Sequence, residues 1–186
     1  MIPSKPFYFM RHAGTEWNRL GLITGSQDIP MNKEGIFQVQ GLLEALSILP
    51  FDSIISSPLQ RALSMAQLIG QKVNIKVKVV SNLKSCAWGK KEGKPNDDHW
   101  YEQWKSGELV IAGAENYEDF LKRTIDGFKE ALEEPGVPLI IGHGGMHSIL
   151  QHNLGLKTQH VGNSKLFFHI PPSMQQDFWK LKAVRL

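Results

Sequence analysis

Four side chains in this sequence have the types and spacing to handle an oxyanion: Arg11, His12, Arg61 and His143. Arg11 and His12 close the apolar run Phe7-Tyr8-Phe9-Met10 and are followed by a turn at Gly14. This is the pattern of a buried strand delivering a guanidinium and an imidazole at its carboxyl end. A lone Arg-His pair reads more simply as the polar end of a strand. Two later apolar runs stop in the same way, however. Residues 51–57 lead through Pro58 to Arg61, and residues 137–142 lead directly to His143. If the three strands are parallel neighbours, all four groups meet at the sheet edge where open α/β folds bind ligands.

The segments around these groups resemble a known family. Arg11-His12-Ala13-Gly14-Thr15-Glu16-Trp17-Asn18 is similar to the R-H-G-E-T-x-W-N signature of the histidine phosphatase superfamily, whose fold is shared with cofactor-dependent phosphoglycerate mutases. Thr24-Gly25-Ser26-Gln27-Asp28-Ile29-Pro30-Met31-Asn32-Lys33-Glu34-Gly35 resembles its T-G-x-x-D-x-P-L-T-x-x-G segment. Ser56-Ser57-Pro58-Leu59-Gln60-Arg61-Ala62 matches S-S-P-x-x-R-A, and Gly142-His143-Gly144-Gly145 resembles the second histidine segment. The four segments occur in the family's order.

The resemblance implies phosphoryl transfer through a phosphohistidine on His12. Such a reaction needs an in-line nucleophile, cations for the equatorial oxygens and a proton for the leaving oxygen. Arg11 and Arg61 suit the second task because a guanidinium fork grips phosphate bidentately. His143 would donate to the same oxygens, with Asn18 and the backbone near Gly144 as secondary donors. Thr24 and Gly25 resemble substrate-contacting positions, although a Thr-Gly turn needs no ligand to exist. No metal and no cofactor are implied. The expected partner is a phosphorylated small molecule.

One segment departs from the pattern where the chemistry is most sensitive. Leu83-Lys84-Ser85-Cys86-Ala87-Trp88-Gly89-Lys90-Lys91-Glu92-Gly93 aligns with L-x-E-x-x-x-G-x-W-E-G, whose first glutamate is the usual proton donor, and here that position is Ser85. A serine hydroxyl is too weak an acid to protonate an alkoxide. Three accounts compete. Glu92, Asp97 or Asp98 could swing in as the acid, with Glu92 the first choice. The substrate could carry an easily expelled group, as acyl phosphates and phosphohistidine do. Or the chain could bind phospholigands while turning over poorly. Ala13 for the signature glycine is the second, milder departure. The short chain and Gly145, where mutases carry asparagine, resemble the phosphatase branch; mutase activity is the alternative.

Readings from other classes are weaker. His143, His147 and His152 include a His-x-x-x-His spacing that could suggest a metal. But His143 sits at a strand-to-helix turn, with no glutamate following it as zinc protease motifs require. His99, His152, His160 and His169 read as structural or exposed. With 41% hydrophobic and 21% charged residues, the 186-residue chain has the balance of an ordinary globular protein. A net charge of +3 gives no case for nucleic acid. Cys86 is alone, so no internal disulfide is possible, and it reads as a buried small side chain. The opening residues lack a signal-peptide pattern and no run approaches membrane-spanning length, so no membrane partner and a cytoplasmic location are expected.

The elements that must position these groups alternate between strand and helix. Asn32 is expected to cap a helix with Ile36, Val39, Leu42, Leu43, Leu46 and Leu49 on one stripe, ending at Pro50. Pro58 suits the first turn of a second helix carrying Leu59, Ala62, Leu63, Ala66 and Ile69. Arg61 falls near that helix's positive end, where a bound anion would relieve an unfavourable charge. Residues 73–80 read as a third strand. Residues 81–115 lose periodicity and read as a cap over the sheet's carboxyl edge, with Trp100, Tyr101 and Trp104 offering an aromatic wall. A long helix from Tyr117 to Leu132, a strand ending at Gly142, a helix through His147 and Leu150, and two strands near 165–170 and 177–184 complete the chain. The expectation is one α/β domain over residues 1–186. It has three αβα layers, a mostly parallel doubly wound sheet with helices on both faces, and a small inserted cap.

Overall fold

The computed structural model describes residues 1–97 and 100–186. Among these, six strands form one sheet in the order β3-β2-β4-β1-β5-β6: β1 (Phe7–Arg11), β2 (Ser53–Ser56), β3 (Val77–Val79), β4 (Pro138–Gly142), β5 (Leu166–Ile170) and β6 (Lys180–Val184). The pairings β3–β2, β2–β4 and β4–β1 are parallel, while β1–β5 and β5–β6 are antiparallel. The three strands singled out from the sequence are therefore adjacent, with β4 between β2 and β1.

Alternation along the central strands splits the core in two. Phe7 and Phe9 of β1, Ile55 of β2 and Ile140 of β4 face one way, against Phe120, Phe128, Met146 and Ile149 of α5 (Tyr117–Leu132) and α6 (Gly144–Asn153). Tyr8, Met10, Ile54, Leu139 and Ile141 face the other, against α2 (Lys33–Ser47) and α3 (Gln60–Val73) through Val39, Leu46, Ala62, Met65, Ala66 and Ile69. Period-two strands sandwiched between period-3.6 helices are what a sheet covered on both faces requires. Phe9 is fully buried, and its removal would cost about 3–5 kcal/mol.

Local signals account for the starts of α2 and α5. Asn32 accepts the Gly35 N–H at 2.8 Å to start α2, and Asn116 accepts that of Asp119 at 2.8 Å to start α5. Three expectations need correction. Pro58 precedes α3 rather than occupying its first turn: Leu59 is the N-cap, and Ser57 Oγ and Asp28 Oδ1 receive the N–H groups of Leu59 and Gln60 instead. Residues 73–80 are mostly not strand, because α3 runs to Val73, Asn74 closes it in the left-handed conformation, and only Val77–Val79 pair with β2. The β-branched residues there were misleading, since Val73 and Ile75 pack beneath the helix end instead. On α2, Ile36 lies on the expected stripe yet is exposed, because the buried residues at the helix start is Gly35, which packs against the backbone of Gly14.

Between β3 and α5 the chain makes two 3-10 turns, at Ser81–Leu83 and Gly89–Lys91, and a short α4 (Tyr101–Ser106). Arg123 of α5 anchors this excursion. Its guanidinium donates to the carbonyls of Asn82 and Lys84 at 2.9 and 2.7 Å and pairs with Glu115 at 2.7 Å. Trp88, Trp100 and Trp104 join the α5–α6 side of the core. Asp98 and His99, considered above, lie outside the described residues.

Candidate active site

The parallel registers bring the strand ends together. Arg11 pairs with Gly142, the His12 N–H donates to the Gly142 carbonyl at 3.0 Å, and the Ser57 N–H donates to that of Ile141 at 3.0 Å. The chain then turns into α6, whose first N–H groups belong to Gly144 and Gly145 and whose N-cap, His143, offers them no side-chain partner. Such a helix start is a ready anion site. A cavity of about 610 Å³ opens there. Arg11, His12, Asn18, Thr24, Gly25, Arg61, His143 and Gly144 all line it, so eight of the nine site residues read from the sequence converge.

His12 and His143 are nearly inaccessible, at 3% and 2% exposed, with ring centroids 5.2 Å apart. Burial, then Arg61 and Arg11, holds the His12 imidazole well below its usual pKa against the opposing Ala13 hydrogen bond. Burial, Arg61, His12 and Arg11 do the same to His143. Both rings are therefore neutral at pH 7. His12 Nδ1 lies 2.8 Å from the Ala13 carbonyl, which can only accept, so the proton sits on Nδ1 and Nε2 keeps its lone pair. The Arg61 Nε–H donates to that nitrogen at 3.3 Å.

Arg61 is 1% exposed, and its guanidinium also donates to the carbonyls of Gln27 and Gly25 at 2.7 and 2.8 Å. Burial pushes it down to about 10, aided by Arg11 and opposed by Asp28 and Glu92, so it remains a cation at neutral pH. The carbonyls and Asp28 thus offset the helix-end charge, a task that the sequence reading gave to a bound anion alone. Arg11 donates to the Val161 carbonyl at 2.6 Å, and its Nε has no partner among the described residues. His143 Nε2 is 2.8 Å from Ser57 Oγ, while its buried Nδ1 has no partner among the described residues. Thr24 Oγ1 is likewise unpartnered among the described residues. Unsatisfied buried donors and acceptors are costly, and of the eight among the described residues four belong to residues that line this cavity, Arg11, Thr24, Trp100 and His143.

Asn18 Oδ1 accepts the Thr15 N–H in a capping box at the start of α1 (Glu16–Arg19) and also the amide of Asn163, at 3.2 Å each. Asn163 donates to the His12 carbonyl at 2.9 Å as well, so it ties the backbone at His12 to Asn18. Neither Asn163 nor Ser57 was assigned a role from the sequence. Asn163 sits in an irregular loop 151 positions from His12, with no local signal.

Glu92 is the site residue that does not join the cavity. Its Oε1 accepts from Ser26 N–H at 2.7 Å, Ser26 Oγ at 2.9 Å and Trp88 N–H at 3.0 Å, and its Oε2 accepts from Gln27 at 2.6 Å. Burial alone would raise its pKa, but these hydrogen bonds outweigh that and hold the carboxyl below its ordinary range. A proton donor needs the opposite shift. Gly25 is part of the same clamp: its φ is +55°, and a Cβ there would lie 2.3 Å from Glu92 Oε1. Asp97 is exposed and does not line the cavity, whereas Ser85 and Cys86 do. No carboxylate lines it among the described residues.

The histidines of the metal reading are dispersed. His147 pairs with His169, Nε2 to Nε2 at 3.1 Å, in the core, and His152 is exposed. No cluster of three or more metal-ligating side chains forms among the described residues. His169 is fully buried, and His160 is exposed on the cavity rim.

The model of the histidine phosphatase superfamily (branch 1) matches residues 7–167. The chain belongs to that superfamily. It is 27% identical over 145 residues to a Bacillus subtilis phosphatase, PhoE, covering 76% of this chain and 73% of that one. It is 29% identical over 147 residues to a probable phosphoglycerate mutase, GpmB, of Salmonella choleraesuis, covering 74% and 68%. The crystal structure of the alpha-ribazole phosphatase from Shigella flexneri superposes with a TM-score of 0.79 at 22% identity, covering 96% of each chain. Histidine phosphatase relatives thus include both phosphatases and mutases, on this α/β fold.

Proposed function

We propose that this histidine phosphatase is a phosphomonoester hydrolase in which His12 Nε2 attacks phosphorus and carries the phosphoryl group to water. The observation that supports this reading is the His12 ring itself: its Nδ1 faces the Ala13 carbonyl, so Nε2 carries the lone pair and accepts from the Arg61 Nε–H, and Arg11 lines the same cavity. Those two cations, the N–H groups at the start of α6 and the Asn18 amide hold the three equatorial oxygens. Ser57 Oγ accepts the Leu59 N–H at 3.3 Å and directs its own hydrogen to His143 Nε2. His143 then presents Nδ1–H to the phosphoryl group as a neutral donor. Thr24 and Gly25 border the substrate, and residues 81–115 cap it.

Glu92 serves as a clamp joining that cap to the Thr24–Gln27 turn, which leaves position 85 without an acid. The enzyme is therefore suited to phosphates whose leaving group departs unaided, acyl phosphates and phosphohistidine among them. Hydrolysis is favoured over mutase chemistry because Arg11 and Arg61 are the cationic side chains lining the cavity among the described residues, and both are committed to the phosphate. A phosphoglycerate would need a further cation for its carboxylate.

Phosphate release from para-nitrophenyl phosphate should exceed that from glycerol phosphate by a wide margin, and Ser85→Glu should narrow the ratio. A ratio unchanged by the substitution would remove the missing acid from the account.

A further inference from the structure

Asn163 lines the cavity and has no part in the mechanism above. Two backbone groups decide which way its amide and that of Asn18 are turned. A carbonyl can only accept, so the Asn163 atom 2.9 Å from the His12 carbonyl is the NH2 nitrogen. An N–H can only donate, so the Asn18 atom 3.2 Å from the Thr15 N–H is the oxygen. The two amides therefore meet as donor and acceptor, with the second hydrogen of Asn163 Nδ2 directed to Asn18 Oδ1 at 3.2 Å. His12 Nδ1, 3.5 Å from the same nitrogen, already donates to Ala13 and takes no part. Asn18 Oδ1 thus holds two donors, and the NH2 group is the one polar part of that side chain left for the cavity it lines. Turned over, the amide would set its oxygen against an anionic phosphoryl group and its NH2 against two donors.

We infer that Asn163 is a positioning residue, which locks the Asn18 amide with its NH2 toward the phosphoryl oxygens. The inference rests on the hydrolase reading, in which Asn18 is a phosphate donor. The Thr15 bond cannot do this alone, because Thr15 caps the same short helix that carries Asn18 and moves with it. Asn163 instead connects that helix to the end of β1, where His12 stands. Position 163 is itself held by the sheet. The Ser164 N–H donates to the Arg11 carbonyl at 3.1 Å and the Arg11 N–H to the Lys165 carbonyl at 3.3 Å, so the loop enters β5 pinned against β1. Ser164 takes a φ of +58°, a left-handed conformation uncommon outside glycine, and such strain persists only where the surroundings enforce it. Asn163 touches no reacting atom; it acts through Asn18.

A double-mutant cycle tests it, read by orthovanadate inhibition and by kcat/KM for para-nitrophenyl phosphate. Asn163→Ala should raise the vanadate inhibition constant and lower kcat/KM by about tenfold each, the loss of one hydrogen bond to a charged group. In an Asn18→Ala background the same change should cost less than about threefold, because the group it positions is gone. Asn163→Asp keeps the volume and removes the donor, so it should lose at least as much as Asn163→Ala. Side-chain amide spectra of protein labelled with 15N-asparagine, assigned with Asn18→Ala, read the same point without kinetics: vanadate should shift the Asn18 NH2 pair in wild type. Full losses in both backgrounds, activity retained in Asn163→Asp, or an Asn18 pair that vanadate leaves in place overturns the inference, while turnover by wild type leaves the hydrolase reading standing. Wild type that neither releases phosphate nor responds to vanadate overturns both.

Discussion

At Glu92 the difference between a clamp and an acid is decided by what its oxygens already hold. Four donors from Ser26, Gln27 and Trp88 fix the carboxylate in its charged form. Glu92→Gln would turn an amide N–H toward one of those donors, and the Thr24–Gln27 turn would loosen beneath the substrate. The loss should be about ten- to a hundredfold in kcat/KM and equal for aryl and alkyl phosphates, since a hydrogen bond to a charged group is worth about 1.5–3 kcal/mol. An acid would show a different pattern, with alkyl esters failing selectively. Steady-state kinetics on the two ester types separates the cases. Sequence placed His12, Arg11, Arg61 and His143 correctly in one cavity because each follows an apolar strand or opens a helix. It misjudged Glu92 because motif spacing shows neither the direction of a carboxylate nor its partners.

Among the elements, legibility follows how local the signal is. The strand ends of β1, β2 and β4 could be read because apolar runs stop sharply at charged groups, and α2 and α5 because asparagine caps precede periodic stripes. The start of α3 could not, since its caps come from Ser57 and, across the fold, Asp28. The loop after α6 was the least readable. Gln151 accepts the Gln159 N–H at 2.8 Å and donates to His147 Nδ1 at 2.8 Å, and His147 in turn contacts His169 of β5. That buried chain of polar groups fixes the segment from which Val161 receives Arg11 and Asn163 holds His12. Sequence reading treated His169 as merely structural or exposed and gave Asn163 no role, because partners brought together by a sheet have no spacing rule.

Across the sheet and its helices, four imidazoles among the described residues are buried neutral: His12, His143, His147 and His169. Burial lowers His147 to about 3 and, with His147 beside it, holds His169 well below its usual value. In the unfolded chain each titrates near about 6.5. Because the folded values are depressed, the unfolded state binds more protons between the two, and stability falls as pH drops below about 6.5 toward the folded values. A single such group forfeits roughly 1.4 kcal/mol per pH unit in that window. The urea midpoint should drop sharply between pH 7 and pH 5, and His147→Gln should flatten the dependence. A midpoint that is level across this range would mean the core imidazoles are hydrated or charged in the native state.

The central claim is that His12 Nε2 bonds to phosphorus during turnover. Rapid quenching of the enzyme with para-nitrophenyl phosphate, followed by peptide mass spectrometry, tests it most directly. The account predicts an acid-labile, base-stable phosphoryl group on the peptide containing His12, absent from His12→Ala, which should also release no phosphate. Turnover with no phosphorylated peptide under the same quench, or with the phosphoryl group on another residue, would contradict it.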